Sequence, residues 1–298
     1  MAVDQRSQPP RRVGITYNPT LQAARDLALS LRSAVNARGI DVWVEDGDAP
    51  EIRDQLSSTD LLICLGGDGS LLRALRLLPD LDTLILGVNM GRLGFLTELD
   101  PPQAIDRLDE VLGGGARIEE RTMLRATVSN TGESFDGLND AVVGRATLSR
   151  AIQLAVNVDG TRIADYRCDG VIVATATGST AYALSAGGPI LPPESNELVI
   201  VPVAPHLAAQ HAVVLPGHET VHITLEPNQE AVLSIDGVGD HQLHEGDSVI
   251  VAASPRRARF LRLKPPSDFY GRMAAQLGWH RPGGNAQPLP SANGEMME

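Results

Sequence analysis

Lysine is all but absent from this sequence: 24 of its 25 basic residues are arginine, and the exception is Lys264. A P-loop lysine, a protein-kinase strand lysine and a Schiff-base lysine each require an amine just after a glycine loop or inside a pocket. Lys264 stands in a basic, strand-like stretch ahead of Pro265-Pro266, which excludes all three chemistries. The arginine excess itself reads as compositional bias rather than as a binding code. Cysteine is scarce as well. Cys64 and Cys168 lie about a hundred residues apart without metal-ligand spacing, so neither a disulfide framework nor a cysteine metal site is indicated. Long apolar runs are also missing, since the longest, Leu198 to Leu215, is interrupted by Pro202, Pro205, His206 and His211. No basic segment followed by an apolar run and a small-residue cleavage site opens the sequence. The expectation is a cytoplasmic protein with reduced thiols and no membrane span. Positive charge is in deficit too: 25 basic side chains face 37 acidic ones, a net of −12 at pH 7. Such a surface repels phosphate backbones and anionic headgroups, so nucleic acid and membrane are poor partners.

Apolar material is ample. With 43% of 298 residues hydrophobic, the chain can fill two modest cores, and two globular domains are expected. Residues 1–10 are polar and proline-rich without periodicity and read as a disordered tail. Arg12 to Tyr17 is strand-like. Leu27, Leu31 and Val35 then recur at helical spacing, with Gly39 at the C-cap. Ile40 to Val44, Leu61 to Leu65 and Leu84 to Val88 read as further strands, and Leu71, Leu72, Leu75 and Leu78 line a helix between the last two. Strands alternating with helices predict a Rossmann-like parallel sheet whose ligands bind beyond the carboxyl ends of its strands. After Gly113-Gly114-Gly115 the apolar runs become short and often alternating, from Leu124 to Leu263, which predicts a mainly β, sandwich-like part. A helix is expected at Tyr182 to Ala186 and a last one at Ser267 to Leu277, packing back on the first domain. The expected division is therefore an α/β domain of residues 11–117 plus 267–280, a β-rich domain of residues 118–266, and a flexible tail at 281–298.

Two constellations carry chemistry. The first is Gly66-Gly67-Asp68-Gly69-Ser70 between a strand and a helix, in outline a phosphate cradle: glycines allow close approach, and the helix start offers free N–H groups. A carboxylate beside a phosphate is repulsive unless a cation lies between them or the carboxylate takes a proton from an attacking hydroxyl. Both readings mean phosphoryl transfer; the competing reading is a tight turn that only joins strand to helix. The second constellation runs from Asp169 to Tyr182. A strand leads into a loop with Thr175, Thr177, Ser179 and Thr180 around Gly178, and then into a helix. Hydroxyls and free amides converging there would suit ribose or phosphate, against the plainer reading of a helix-capping cluster. Ser185 in Ala183-Leu184-Ser185-Ala186-Gly187 nearly matches a nucleophile elbow, but it lies within a helix and has no obvious His-Asp pair.

The turn Gly66-Gly67-Asp68-Gly69, the stretch Gly87-Val88-Asn89-Met90-Gly91-Arg92-Leu93-Gly94-Phe95-Leu96 and the pair Asn139-Asp140 occur in the order and spacing of the NAD kinase family. So do Thr177-Gly178-Ser179-Thr180-Ala181-Tyr182, Ser185-Ala186-Gly187-Gly188-Pro189 and Pro205-His206. The chain resembles that family from about Val13 to Trp279. Diacylglycerol and sphingosine kinases and phosphofructokinases carry a similar first turn, but the lipid kinases lack the Thr-Gly-Ser-Thr-Ala-Tyr segment.

The resemblance implies transfer of the γ-phosphoryl of ATP, with Mg²⁺, to the 2′-hydroxyl of the adenosine ribose of NAD⁺. Asp68 then corresponds to the proton acceptor, with Gly66, Gly67, Gly69 and Ser70 as the phosphate loop. Asn139 and Asp140 would hold the adenosine part, and Thr180, Ala181, Tyr182 and Ser185 the adenine and ribose. Arg150, Arg167, Asp169 and Ala204 match further dinucleotide positions, while Gly69, Arg73 and Phe95 also approach NAD. The β-rich domain becomes the NAD-binding one, the metal is carried mainly by the nucleotide, and the active unit is a homodimer or homotetramer with sites shared between subunits.

The sequence departs from the family's pattern at Ala176, where proline is usual, at His211, where arginine is frequent, and at Val238, where a longer polar residue follows Asp-Gly. None of the three touches Asp68. His241 and His244 read as solvent-facing rather than as metal ligands. The alternatives to a NAD kinase are a lipid or sugar kinase on the same first domain, or a catalytically silent dinucleotide sensor. An acidic chain without a basic amphipathic helix argues against the first. The intact Asp68 argues against the second.

Overall fold

The computed structural model of the chain describes residues 6–49, 52–78, 82–91, 94–147, 150–206 and 211–279. The chain divides into two compact units, Met1–Lys264 and Pro265–Glu298. The first unit opens with β1 (Arg12–Tyr17), α1 (Gln22–Asn36), β2 (Asp41–Asp46), α2 (Ile52–Leu56), β3 (Leu61–Gly66), α3 (Asp68–Leu77) and β4 (Leu84–Asn89). These strands are parallel in the order β2-β1-β3-β4. Every residue of β3 is buried, which accounts for its unbroken apolar run: a parallel strand covered on both faces has no polar side. Leu27, Ala28, Leu31 and Val35 of α1 pack on one face, while Leu71, Ala74 and Leu75 of α3 pack on the other.

Two short helices follow, α4 (Pro101–Asp106) and α5 (Leu108–Leu112). The first is started by a capping box in which Asp100 accepts the Gln103 N–H at 2.9 Å and the Gln103 side chain accepts the Asp100 N–H at 3.2 Å. The β-rich stretch then comprises β5 (Arg117–Val128), β6 (Ser134–Gly137), β7 (Asp140–Arg145), β8 (Ile152–Val158), β9 (Thr161–Cys168), β10 (Gly170–Thr175) and α6 (Tyr182–Ser185). It closes with β11 (Leu198–Val203), β12 (Val213–Leu215), β13 (Val221–Leu225), β14 (Ala231–Ile235), β15 (Val238–Leu243) and β16 (Ser248–Arg262). One sheet has the antiparallel order β12-β11-β10-β7-β14-β15. The other carries β16, β13, β8, β9, β5 and β6, and β16 also joins β4 in parallel at Phe260 and Ile85. Side chains of both sheets share one core, among them Leu124, Leu154, Ile223 and Val251 from one and Val143, Val173, Ile200 and Leu233 from the other. The mixed architecture, parallel α/β followed by a β-sandwich, is the fold class read from the sequence.

The sheet does not break where the composition changes. The apolar segments at 249–252 and 260–262 are parts of one strand, β16, whose register with β5 shifts between Ala253 and Arg257. Its first half closes the sandwich, and its second half extends the parallel sheet.

Residues 6–10 correct the expectation of a disordered tail, of which residues 1–5 lie outside the described residues. The Ser7 N–H donates to Ala116 O at 2.9 Å, and Ser7 O accepts the Gly115 N–H at 2.8 Å, so polar composition here serves pairing rather than solvation. The expected tail at 281–298 also lies outside the described residues. In the second unit, α7 (Asp268–Gln276) carries an ion pair between Arg272 and Asp268, one turn apart, at 3.0 Å. Among the described residues no helix is long and apolar enough to cross a membrane.

Candidate active site

Asp68 opens α3 directly after β3, at the carboxyl edge of the parallel sheet, with Gly67 as N-cap. Its carboxylate is fixed by two backbone donors, the Phe95 N–H at 2.8 Å to Oδ2 and the Leu96 N–H at 3.0 Å to Oδ1. The positive end of α3 adds to this attraction. The two oxygens retain lone pairs beyond those bonds, so the group is oriented and can still accept a proton. The glycines around it differ in role. A β-carbon on Gly66 would overlap Ser70, and one on Gly94 would lie 2.6 Å from Asp68 Cγ, whereas β-carbons on Gly67 and Gly69 would meet nothing within 4 Å. Bare backbone at Gly67 and Gly69 therefore faces open space beside the helix start, the geometry of a phosphate cradle. Arg73, on the same helix, pairs with Asp48 and lines a small hollow with Asn18 and Ser70.

Asn139 and Asp140 lie at the start of β7, and the loop after β10 rests on them. The Thr175 N–H donates to Asn139 O at 2.9 Å, and Gly178 sits so close to the Asn139 backbone that any side chain there would overlap it. Leu138 joins Leu71, Leu75 and Leu96 in one apolar cluster, which brings this edge of the sandwich against α3 and the Asp68 loop. The four loop hydroxyls do not converge on an open spot, contrary to the expectation. Ser179 donates to Ala176 O at 2.6 Å, Thr180 to Thr177 O at 3.0 Å, and Thr175 to Leu138 O, while Thr177 Oγ1 accepts from Arg121 at 3.4 Å. They build the loop: where the chain leaves a strand without a regular ladder, side-chain hydroxyls satisfy the backbone groups. Tyr182 and Ser185 of α6 are exposed, and Thr180 and Ala181 half-buried.

In the sequence Asp236 figures only in the Asp-Gly pair before Val238, with no role of its own. Asp236 and Gly237 both have positive φ, 52° and 70°, in the two-residue turn joining β14 to β15. From there the Asp236 carboxylate accepts the N–H groups of Leu138 at 2.9 Å, Asn139 at 2.6 Å and Asp140 at 3.1 Å. The Asp-Gly pair signals a hairpin, but nothing local signals its target. Asp140 is 4% exposed, and burial followed by repulsion from Asp236 pushes its carboxyl up to about 7. Burial raises Asp236 as well, opposed by its three backbone donors and by Arg76 of α3.

The remaining candidates gather elsewhere. Arg150, Arg167 and Asp169 line a cavity of about 530 Å³ with Arg145 and His206, and Asp169 pairs with Arg145 at 3.2 Å. The Asp169 N–H bonds Val203 O and the His206 N–H bonds Arg167 O, which places Ala204, itself at φ 46°, between them. In the β7–β10 register Asp140 faces Ala174 and Gly144 faces Gly170, so this arginine cluster and the Asn139 loop occupy opposite ends of the same strands. Of the departures from the family pattern, Ala176 is buried in the loop, and His211 and Val238 are exposed. His241 is not simply solvent-facing, since it stacks on Phe135 with ring centroids 3.9 Å apart. Cys64 and Cys168 are free, and burial pushes their thiols up to about 12 and about 11.

A carboxylate held at a helix start beside bare glycine backbone, at the carboxyl edge of a parallel sheet and against a sandwich loop, defines a nucleotide-dependent phosphotransferase of two-part build. The family models for the ATP-NAD kinase N-terminal and C-terminal domains match residues 48–116 and 138–263. A NAD kinase of Dehalococcoides mccartyi (strain CBDB1) is 38% identical over 272 residues, covering 90% of this chain and 96% of its own. One of Chloroflexus aggregans is 40% identical over 272 residues, covering 89% and 98%. The chain belongs to the NAD kinase family. In fold it is similar to a yeast NADH kinase complexed with NADH, at a TM-score of 0.83, 24% identity and coverage of 95% and 91%. An Archaeoglobus fulgidus NAD kinase in complex with ATP gives 0.70, 24%, and coverage of 89% and 99%.

Proposed function

We propose that this kinase transfers the γ-phosphoryl of ATP to the 2′-hydroxyl of the adenosine ribose of NAD⁺. The observation that carries the reading is Asp68, held by two N–H donors beside an open glycine backbone. Its carboxylate takes the proton as the ribose oxygen forms its bond to the γ-phosphorus. The bond from that phosphorus to the β–γ bridging oxygen breaks, ADP leaves with the electron pair, and NADP⁺ remains. In the phosphate loop of Gly66, Gly67, Gly69 and Ser70, the open backbone of Gly67 and Gly69 faces the phosphates, while the Ser70 N–H closes the turn onto Gly67 O at 3.0 Å. Asn139 and Asp140, with Thr180, Ala181, Tyr182 and Ser185, receive the adenosine, and Arg73 and Phe95 border it.

No group of three or more metal-binding side chains occurs among the described residues. The Mg²⁺ of the reaction would be held mainly by nucleotide phosphates, completed by water and at most one or two carboxylates, and would offset charge on the transferring group. Arg150, Arg167, Asp169 and Ala204 form a second cluster at the far end of β7 and β10, which favours a site shared between subunits of a homodimer or homotetramer in the cytoplasm. Residues 11–117 then act as the phosphate-handling part and residues 118–266 as the dinucleotide-handling part. Following NADP⁺ formation by purified protein given NAD⁺, ATP and Mg²⁺ tests the reaction. Asn139→Ala tests the pockets: it should weaken NAD⁺ by about 1–3 kcal/mol by leaving ligand groups unpaired, with little effect on ATP. An equal rise in the ATP KM would reverse the assignment.

A further inference from the structure

Glu98, Glu119, Arg121 and Arg262 are 3%, 4%, 2% and 2% exposed and form one ionic group outside both loops of the site. Arg262 donates to Glu119 Oε1 through Nε at 3.0 Å and Nη2 at 2.9 Å. Its Nη1 reaches Leu96 O at 2.9 Å and Glu98 Oε2 at 3.3 Å. The second oxygen of Glu98 accepts the Leu263 and Lys264 N–H groups at 2.9 and 2.8 Å. Arg121 donates to the same Glu119 Oε1 at 2.8 Å and extends Nη1 to Thr177 Oγ1 at 3.4 Å. Both guanidiniums stand over the Phe260 ring, 5.3 and 5.0 Å from its centre.

The path these bonds trace has defined ends. Leu96 gives its N–H to Asp68 and its carbonyl to Arg262. Thr177 opens the segment through Tyr182 that rests on Asn139. The two ends belong to different halves of the fold, and Glu119 Oε1 accepts from both arginines, while its Oε2 accepts from Arg117 at 3.0 Å. Packed apolar side chains could hold these halves together at least as firmly as four buried charges, because desolvation offsets much of what ion pairs contribute. What charged hydrogen bonds add is direction, and a fixed register is their best-attested return.

We propose that Arg121 and Arg262, bridged by Glu119, are positioning residues that hold the Asp68 loop and the Thr177 loop in one register. Seating the dinucleotide and aligning the proton acceptor then become one event. The proposal rests on the roles given above to Asp68 and the Thr177 loop.

Lysine at either arginine keeps the charge but loses the planar fork that reaches two partners at once. The test is R121K, R262K and the double variant, assayed for kcat, NAD⁺ KM and Tm. R121K alters the dinucleotide end, yet it should lower kcat, by about tenfold to a hundredfold, since small misplacements of a reacting group cost that much. The double variant should lose no more than the worse single one, because one relay can be cut only once. A raised KM with unchanged kcat, a double loss equal to the product of the singles, or a lowered Tm with wild-type kinetics would each overturn the proposal. Should the lysine variants fail to fold, E119Q keeps the shape and removes the shared charge. It should lower kcat to a similar degree, and unchanged kcat would overturn the idea equally. D68N run in parallel separates the two levels: if it retains kcat, the site assignment fails, whatever the relay does.

Discussion

Gly94 lies directly against the Asp68 carboxylate, so that a β-carbon at position 94 would stand 2.6 Å from Asp68 Cγ. The glycine and the acid are distant in sequence, and the fold presses them together where Phe95 and Leu96 turn their N–H groups onto the acid.

Gly94→Ala should therefore act as a catalytic variant. The methyl must displace either the carboxylate or the loop that holds it, and misplacement of this kind costs up to about a hundredfold in rate. The expected outcome is kcat reduced by about tenfold or more with NAD⁺ KM within a few-fold of wild type. Wild-type kcat would mean that the position of Asp68 does not matter.

Asp68→Asn should lower kcat by roughly 10²- to 10⁴-fold, the usual worth of a general base. The amide is not a silent replacement here. Both oxygens accept an N–H, so the new NH₂ must face one of those donors, and stability should fall by about 1 kcal/mol. Activity above about a tenth of wild type would exclude Asp68 as the base.

Asp140 makes stability pH-dependent in an unusual sense. Its carboxyl is raised to about 7 from an ordinary value of 3.8, so the folded chain holds a proton that the unfolded chain releases. Its contribution is complete below about pH 4 and is lost as pH rises toward 7. Asp140→Asn removes the buried charge. The Tm of the variant relative to wild type should climb between about pH 4 and pH 7 and then level off. A difference independent of pH would show that Asp140 is ionised throughout.

Sharing of sites can be read by mixing. Asp140 and Arg145 bound β7, so the two candidate clusters stand about 17 Å apart along it at the ordinary rise per residue. Asp68→Asn and Arg167→Ala, each impaired alone, should recover NADP⁺ formation when exchanged into mixed oligomers. An inactive mixture, with subunit exchange verified, would place each complete site within one subunit.

Much of this was legible in residue order. The apolar run Leu61 to Leu65, the turn after it and the leucines of α3 report a buried parallel strand entering a helix, because burial on both faces leaves a continuous apolar signature. Alternation over Val221 to Leu225 likewise reports a strand with one face on the core. The short strands β6, β7, β9, β12 and β15 escaped, since three to eight mixed residues carry no period strong enough to separate strand from loop.

Local pattern determined by itself the longer elements, the two-part architecture and the acid at the helix start, since each depends on neighbours within a turn or a strand. Tertiary structure alone decided what those groups do to one another. Gly94 meets Asp68, Asp236 caps the turn before Asp140, the loop hydroxyls close on their own backbone, and Glu119 joins Arg121 to Arg262. Apart from the hydroxyls, which bond within their own loop, each of these relations brings together separate segments through a hydrogen bond or a van der Waals limit of about 3 Å. Periodicity records which side of an element is buried, but not which distant donor or acceptor it meets there.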